Sequence, residues 1–286
     1  MPELPEVETT CQGIAPHLVG NTLNSVEIRN GSLRWPVSKE AYELKNIPLG
    51  KSLPPAANEI AKPDACVFRR AKYIVIPLPE AQHLLIHLGM SGSLRITSPD
   101  DEPKKHDHVI FNLSSGLQMR FHDPRRFGCV LWTSEELSSH KLLAKLGPEP
   151  LQDEFSKEYF IKKSKDKQKA IKLHIMDNHT VVGVGNIYAC EALFLTGIHP
   201  KRESGKVSKA RLTKLRENIR HVLQQSIDQG GTTLKDFIQS NGQPGYFKQQ
   251  LNVYGREGEE CHICDSAIKR IVLGQRSTFY CPKCQK

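Results

Sequence analysis

The sequence has no apolar run that approaches the ~20 residues needed to cross a bilayer. Its first residues, MPELPEVETT, place proline and glutamate where a secretory signal peptide has a basic start and an apolar core. No segment repeats along the chain. On these grounds we expect a cytoplasmic protein with no membrane partner.

Acidic residues are fewer than basic residues. The chain has 31 Asp and Glu against 40 Lys and Arg, which gives a formal net charge of +9. In an intracellular protein this excess favours a polyanionic partner, usually nucleic acid, although many of the lysines could be ordinary solvated surface. With 286 residues and a hydrophobic fraction of 38%, the chain is long enough for two domains with ordinary cores.

The eight cysteines fall into two groups. Four stand apart among apolar neighbours, as buried free thiols do: Cys11, Cys66, Cys129 and Cys190. The other four form a C-x2-C-x16-C-x2-C pattern: Cys261, Cys264, Cys281 and Cys284. Two close thiolate pairs predict the tetrahedral sulfur cage of a structural zinc site. The alternative, two disulfides, is disfavoured in a reducing cytoplasm, and His262 is a spare ligand that four cysteines do not need.

Residues 22–132 favour strands. Short segments rich in β-branched and aromatic residues run from TLNSVEIR through CVFRRAKYIVIP to GCVLWT, and NLSSGLQM is a hairpin turn between two of them. The helix that precedes them has prolines suited to a first turn. Four residues at alternating four- and three-residue spacing give that helix an apolar face: Val7, Cys11, Ile14 and Leu18. We predict an antiparallel sandwich or barrel with this helix packed on it.

The second half favours helices. SEELSSHKLLAKLG begins with a capping-box pattern, and SKARLTKLRENIRHVLQQSIDQGG is amphipathic and ends at paired glycines. Between them, VVGVGNIYACEALFLTGI is a glycine-rich turn that enters an apolar helix. GPEPLQDEF is the predicted linker, and QSNGQPGYFKQQLNVYGREGE has the composition of a loop.

Several residues have the chemistry to bind nucleic acid. Met90 and Phe127 lie on Gly- or Pro-flanked loops beside arginine, where they could act as wedges in a base stack, although core packing is the commoner role of a lone Met or Phe. The glycines before Asn186 could expose backbone N–H groups to a phosphate or form a tight turn between packed helices. Arg276, on the predicted zinc hairpin, could face a phosphate or solvent.

Ten motifs resemble those of bacterial formamidopyrimidine-DNA glycosylase, in the same order and over nearly the whole chain: PELPEVET, RRAKY, HLGMSGSLR, KHDH, DPRRFG, LGPEPL, VVGVGNIYA, GGTTLKDF, PGYF and QRSTFYCPKC. The related endonuclease VIII has the same architecture but typically a different N-terminal sequence, and it lacks this Met, Arg and Phe loop set. The sequence departs from the family mainly in a Pro- and Ala-rich insertion at residues 50–68, whose role stays open.

The resemblance implies an α+β fold, with an N-terminal helix-flanked antiparallel β-sandwich and a C-terminal helical (helix-two-turn-helix) domain that carries a four-cysteine zinc-finger hairpin. The expected domains are a catalytic domain at 1–134, a helical DNA-binding domain at 135–229, a mobile lesion-capping loop at 230–253 and a zinc finger at 254–286. It also implies one structural Zn²⁺, a monomer, and a bacterial cytoplasmic protein associated with the nucleoid.

The resemblance also implies roles for single residues. Pro2 becomes the nucleophile once Met1 is removed, and Glu3 protonates the sugar ring oxygen. Glu6 matches a family acid, but a structural role at the start of the helix is an equal alternative. Lys72 is expected to transfer protons and contact phosphate during β-elimination, and Arg276 is linked to δ-elimination. Seven residues are expected to contact DNA: His87, Met90, His106, Arg125, Phe127, Lys167 and Asn186.

The implied activity is that of a bifunctional DNA glycosylase and AP lyase of base excision repair. It would remove oxidised purines such as 8-oxoguanine and formamidopyrimidines from duplex DNA and cut the abasic strand by β,δ-elimination. One alternative is an enzyme of the same fold that acts on oxidised pyrimidines, and another is a non-catalytic damage sensor. Pro2, Glu3 and Lys72 together argue against the sensor, because a pure binder has no need of a secondary amine at its terminus.

Overall fold

The structure, a computed structural model, describes residues 2–59, 64–230 and 251–286. These residues form two compact units, the first made of 2–59, 64–144 and 229–230, and the second of 145–228 and 251–286. Met1 and most of the predicted lesion-capping loop, residues 231–250, lie outside the described residues, as do positions 60–63 of the insertion.

The first unit contains two antiparallel sheets with a helix against them, which confirms the predicted helix-flanked sandwich. One sheet has the strand order β2-β1-β7-β8-β6. Its strands are β1 (Thr22–Ile28), β2 (Lys45–Pro48), β6 (Ser93–Thr97), β7 (Asp107–Leu113) and β8 (Gln118–His122). The other sheet has the order β3-β4-β5-β9. Its strands are β3 (Phe68–Arg70), β4 (Tyr73–Pro77), β5 (His83–His87) and β9 (Cys129–Thr133).

The helix that packs on these sheets is α1 (Leu4–Leu18), and a short helix, α2 (Lys39–Tyr42), follows β1. The four residues predicted to form the apolar face of α1 are all buried in the core of this unit: Val7, Cys11, Ile14 and Leu18. The core also contains inward-facing residues of both sheets, such as Ile74, Ile86 and Phe111. Alternating strand residues and one helix stripe therefore share a single core, as the periodicities require.

Strand register brings three connections to one end of the four-stranded sheet. Tyr73 pairs with His87, and His87 pairs with Cys129. Neighbouring strands in an antiparallel sheet run in opposite directions. Three connections therefore leave the sheet at the same end: those before Tyr73, after His87 and before Cys129. These connections carry Lys72, Met90 and Phe127 in turn.

Two local predictions were wrong. The segment CVFRRAKYIVIP is two strands and not one, because Ala71 adopts φ +54° and reverses the chain between β3 and β4. The segment from Ser134 to Gly147 forms successive turns and no helix. At the middle of this segment, Nδ1 of the His140 side chain accepts a hydrogen bond from the backbone N–H of Leu142. In a helix this N–H would donate to the backbone carbonyl four residues earlier, so the side chain of His140 takes the place of that carbonyl.

The second unit is mainly helical, as predicted. It contains α3 (Lys157–Ser164), α4 (Ile171–Ile175), α5 (Asn186–Thr196) and α6 (Lys209–Asp228). A two-stranded hairpin, β10 (Lys269–Leu273) and β11 (Arg276–Tyr280), follows. Val253 and Phe279 of the C-terminal segment pack with Phe194 of α5 in one buried cluster. Within the described ranges, no helix is long and apolar enough to span a membrane.

Candidate active site and zinc centre

The start of α1 holds Pro2 and Glu3, and both are buried. The backbone N–H of Glu3 donates a hydrogen bond of 2.8 Å to Oε2 of Glu6, which is itself fully buried. This bond satisfies a donor that the helix leaves without an internal partner. Glu6 therefore fixes the backbone of Glu3. This contact supports the structural role of Glu6 at the start of the helix.

Lys72 lies in the turn between β3 and β4, and an ion pair ties this turn to α1. Arg69 Nε donates to Glu8 Oε2 at 2.8 Å, with side-chain exposures of only 3% and 5%. The same guanidinium donates through Nη1 to the carbonyl oxygen of Ala71 at 2.9 Å. One arginine thus holds the helix that begins beside Pro2 and the turn that carries Lys72.

His87 is a neutral imidazole with a defined tautomer. Burial and the nearby charges of Lys72 and Arg34 lower the pKa of His87 to about 4. Its Nδ1 accepts a hydrogen bond of 2.9 Å from the backbone N–H of Gly89, so Nε2 carries the hydrogen. The ring packs at 5.0 Å against Tyr73 on the neighbouring strand. At neutral pH His87 can therefore offer an uncharged N–H donor to a phosphate.

Met90 and Phe127 are exposed rather than packed in the core, with 38% and 45% of their surfaces accessible. The guanidinium carbon of Arg125 lies 4.8 Å from the centre of the Phe127 ring, a cation–π contact between two exposed side chains. Core packing is therefore excluded for both residues, and their wedge role stays a prediction.

His106 is half-buried at the start of β7, with ring centres 6.0 Å from His108 and 5.9 Å from His122. His122 donates to the buried carboxylate of Asp107 at 2.8 Å. Burial acts to raise the pKa of Asp107, but the hydrogen bond from His122 and the charge of Arg95 lower it to about 2. The ionised Asp107 thus anchors the strand end on which His106 lies.

In the second unit, hydrogen bonds connect Asn186, the first residue of α5, to the hairpin that carries Arg276. Asn186 Nδ2 donates to the carbonyl oxygen of Ser277 at 2.9 Å. Lys172 is fully buried, and its Nζ donates to Asn186 Oδ1 and, at 2.6 Å, to Thr278 Oγ1. Arg276 is exposed at the tip, where Gly274 and Gln275 adopt the positive φ angles of a tight hairpin turn.

Lys167 is exposed in the basic segment between α3 and α4, and its backbone carbonyl accepts the N–H of Gly205 at 2.8 Å. Within the described ranges, no hydrogen bond joins its side chain to Asn186 or Arg276. Lys172 is the last residue of the same basic run, and its buried role was not predicted from the sequence. The available signal was a lysine between the apolar Ile171 and Leu173 of α4.

The four cysteines of the C-terminal motif form a metal-binding cluster, with all four sulfurs within 4.8 Å of one another. Sγ of Cys264 lies 3.4 Å from Sγ of Cys281 and of Cys284, and Sγ of Cys261 lies 3.9 Å from that of Cys284. Tetrahedral zinc with bonds of ~2.3 Å places its sulfurs ~3.8 Å apart, whereas a disulfide needs about 2 Å. Hydrogen bonds from Ser266 lower the pKa of Cys264, which favours its metal-binding thiolate, whereas burial raises the pKa of Cys281 and of Cys284. The cluster fits one structural zinc.

The four remaining cysteines are buried free thiols, as predicted: Cys11, Cys66, Cys129 and Cys190. Burial raises the pKa of Cys66 to about 11 and that of Cys129 to about 12. Both are therefore protonated at neutral pH and are poor nucleophiles.

Comparison with known families covers nearly the whole chain. Residues 1–130 match the formamidopyrimidine-DNA glycosylase N-terminal domain, and 146–238 match the formamidopyrimidine-DNA glycosylase H2TH domain. The chain belongs to the formamidopyrimidine-DNA glycosylase family. Residues 258–286 match the zinc finger found in these glycosylases and in isoleucyl-tRNA synthetase, in agreement with the cysteine cluster. The chain is accordingly a DNA-repair glycosylase with a zinc finger.

Individual relatives agree over their full lengths. Formamidopyrimidine-DNA glycosylases of Escherichia coli O6:H1 and Shigella boydii are each 53% identical over 286 residues, which is 100% of this chain and of each relative. The crystal structure of the Thermus thermophilus enzyme has a TM-score of 0.85 at 33% identity and covers 99% of this chain and 98% of its own. The Lactococcus lactis enzyme in complex with abasic-site DNA has a TM-score of 0.86 at 30% identity, with 99% of both chains covered.

Proposed function

We propose that this chain is a bifunctional DNA glycosylase and AP lyase of base excision repair, specific for oxidised purines such as 8-oxoguanine and formamidopyrimidines. The observation that carries the proposal is the fixed start of α1: the Glu6 carboxylate binds the backbone N–H of Glu3, next to Pro2, and the Glu8–Arg69 ion pair joins α1 to the strand that leads into the turn of Lys72. A mutant of the L. lactis relative has been crystallised with DNA that contains Fapy-dG, which supports the substrate class.

The proposed chemistry begins once Met1 is removed. The secondary amine of Pro2 attacks the anomeric carbon of the damaged nucleotide, the glycosidic bond breaks, and the base leaves with its electron pair and takes up a proton. Glu3 protonates the sugar ring oxygen as the ring opens, which leaves an iminium ion on Pro2. This iminium is cationic without further protonation, so it can accept electrons in the next steps.

Elimination then breaks the strand on both sides of the sugar. Loss of a proton from the carbon next to the iminium expels the 3′ phosphate, and loss of a second proton further along expels the 5′ phosphate. We assign Lys72 to proton transfer in the first step and Arg276 to phosphate binding in the second. Hydrolysis of the final imine returns Pro2 to its free form.

The target base must leave the stack, because the anomeric carbon is inaccessible inside a duplex. Met90, Arg125 and Phe127 would fill the vacated space and separate the opposite strand. Phosphate contacts would come from the neutral N–H of His87 and from His106, Lys167 and Asn186. With a net charge of +9, binding should weaken as salt rises, because bound lysines and arginines release counterions from DNA. We place the enzyme, as a monomer, in the bacterial cytoplasm with the nucleoid.

The direct test compares cleavage of two duplexes, one with 8-oxoguanine opposite cytosine and one with thymine glycol. The proposal expects faster single-turnover cleavage of the 8-oxoguanine strand and products with phosphate at both ends of the gap. Preference for thymine glycol would favour the oxidised-pyrimidine alternative, which gains weight from the L. lactis relative crystallised with oxidised-pyrimidine DNA. Tight binding of both duplexes without cleavage would favour the damage sensor.

A further inference from the structure

Asp123 connects the two loops that carry the exposed apolar side chains. It follows the last residue of β8 and is fully buried. Its Oδ1 accepts a hydrogen bond of 3.1 Å from the hydroxyl of Ser91, and its Oδ2 accepts one of 2.8 Å from the backbone N–H of Gly128. Ser91 is the neighbour of Met90, and Gly128 is the neighbour of Phe127. One carboxylate therefore bridges both loops.

The backbone of Asp123 is itself fixed to the start of β7. Its N–H donates to the carbonyl oxygen of His106 at 3.0 Å, and its carbonyl lies 2.8 Å from Nε2 of the buried His108. A carbonyl can only accept, so Nε2 of His108 carries the hydrogen. The carboxylate that bridges the loops is thus mounted on the rigid sheet.

The two loops also touch through their backbones. A Cβ on Gly89 would lie 2.5 Å from the nitrogen of Gly128, and a Cβ on Gly128 would lie 2.4 Å from the carbonyl oxygen of His87. Both separations are too short for a side chain, so glycine is required for the close approach. A hydrogen bond that holds one loop therefore restrains the other.

The charge of Asp123 is not balanced by an ion pair with any lysine or arginine in the part of the chain that the structure describes. A buried carboxylate that has only neutral donors carries a large desolvation cost. The carboxylate of Asp123 accepts its hydrogen bonds from the two loops, so it fixes the position of one loop relative to the other.

We propose that Asp123 is a positioning residue that holds Met90 and Phe127 as one preformed wedge. The inference rests on the proposed function, in which these two side chains fill the gap left by the flipped nucleotide. With both loops fixed beforehand, insertion requires no reordering of the backbone when DNA binds, which lowers the entropic cost of the step.

The test uses four variants of the full-length, zinc-loaded protein. Asp123→Ala removes both hydrogen bonds, and Ser91→Ala removes only the one to the Met90 loop. Asp123→Asn keeps both, since its oxygen can accept from Gly128 and its amide can donate to the Ser91 hydroxyl. Ser115→Ala, at an exposed serine in the β7–β8 turn, is the matched control.

Three readouts are compared. Fluorescence of 2-aminopurine placed beside a stable abasic analogue reports wedge insertion, single-turnover excision of 8-oxoguanine reports flipping and chemistry, and borohydride trapping on a preformed abasic site reports the amine alone. We expect Ser91→Ala to slow insertion and excision by about tenfold, the effect of one lost buried hydrogen bond, and Asp123→Ala, which loses two, to slow them by more than about tenfold. Trapping should change by less than about threefold, and Asp123→Asn and Ser115→Ala should stay within about threefold of wild type in all three readouts.

Hydrogen exchange of the free protein tests the bridge without any DNA. Ser91→Ala should speed amide exchange in the Phe127 loop as well as in its own loop, and this result needs no glycosylase activity. Unchanged exchange and insertion in folded Ala variants would overturn the inference, as would equal impairment in Asp123→Asn and Asp123→Ala. If wild type fails to excise 8-oxoguanine while the exchange pattern holds, the proposed substrate is wrong and the bridge stands.

Discussion

The ammonium group of Lys172 donates a hydrogen bond of 2.6 Å to the hydroxyl of Thr278, which joins residues 106 positions apart. The same ammonium donates to Asn186, so the start of α5 and strand β11 share one buried cation. Burial of a lysine is costly unless its donors are satisfied, and here the cost is offset by contacts that fix Asn186 and the hairpin of Arg276 together.

Replacing Lys172 by methionine should weaken this junction while preserving most of its volume. We expect the free energy of unfolding to fall by about 2–4 kcal/mol, because polar groups of Asn186 and Thr278 lose a buried charged donor. Urea unfolding followed by far-ultraviolet circular dichroism measures the change. Lys165→Met, at an exposed lysine nearby, should alter stability by less than about 0.5 kcal/mol. Equal effects of the two substitutions would contradict the role of Lys172.

The ion pair between Glu8 and Arg69 should be important for stability because both side chains are almost fully buried. Glu8→Gln removes the negative charge and leaves the guanidinium buried, which should cost about 3 kcal/mol of unfolding free energy. The exposed Glu43→Gln serves as control and should be nearly neutral. The midpoints of denaturant unfolding are measured for both variants. If the midpoint of Glu8→Gln shifts no more than that of the control, the ion pair does not anchor α1.

Stability should fall when the solution is acidified towards pH 5. Burial lowers the pKa of His87 and of His174 to about 4 in the folded protein, below the ordinary value of 6.5. Between these values the unfolded chain binds more protons, so unfolding becomes easier as pH decreases. His87 alone should contribute a loss of about 2 kcal/mol between pH 7 and pH 5.

The pH effect of His87 can be isolated with His87→Asn, whose side-chain oxygen can still accept from Gly89 but does not titrate in this range. Urea unfolding at pH 7 and pH 5 should show a smaller pH-dependent loss in the variant than in wild type. An identical loss in both proteins would mean that His87 is not held neutral by the fold.

Zinc should be required for the hairpin that carries Arg276. Cys264→Ala removes one of four ligands and should reduce the metal content after dialysis against a chelator from about one zinc per chain to nearly none. Cys129→Ala, at a buried cysteine of the first unit, should retain its zinc. Metal analysis of the two purified variants gives the answer, and retention of a full zinc by Cys264→Ala would refute the four-cysteine site.

Features encoded by spacing were predictable from the sequence. The apolar stripe of α1 and the paired cysteines of the hairpin follow from local periodicity and ligand geometry. The motif order led to the family, and the family then supplied roles for residues such as Pro2 and Lys72 that composition alone does not assign.

Features set by single side chains were not predictable in this way. The positive φ of Ala71 splits one apparent strand, and the Nδ1 of His140 takes a backbone donor in a segment with a helical pattern. Lys172 binds Thr278 and Asp123 binds Ser91, each in a distant segment, so no local pattern reveals these contacts. Tertiary contacts decide such positions, and propensity gives only a weak prior.

The central claim is that Pro2 is the nucleophile, and borohydride trapping tests it most directly. Untagged protein is mixed with a duplex that contains one 8-oxoguanine opposite cytosine, reduced, and digested for mass spectrometry of the cross-linked peptide. A protein whose N-terminus is blocked by a tag serves as control. The account predicts a stable adduct at Pro2 in the untagged protein and none in the blocked one. An adduct at a lysine, or strand cleavage by the blocked protein at the normal rate, would contradict it.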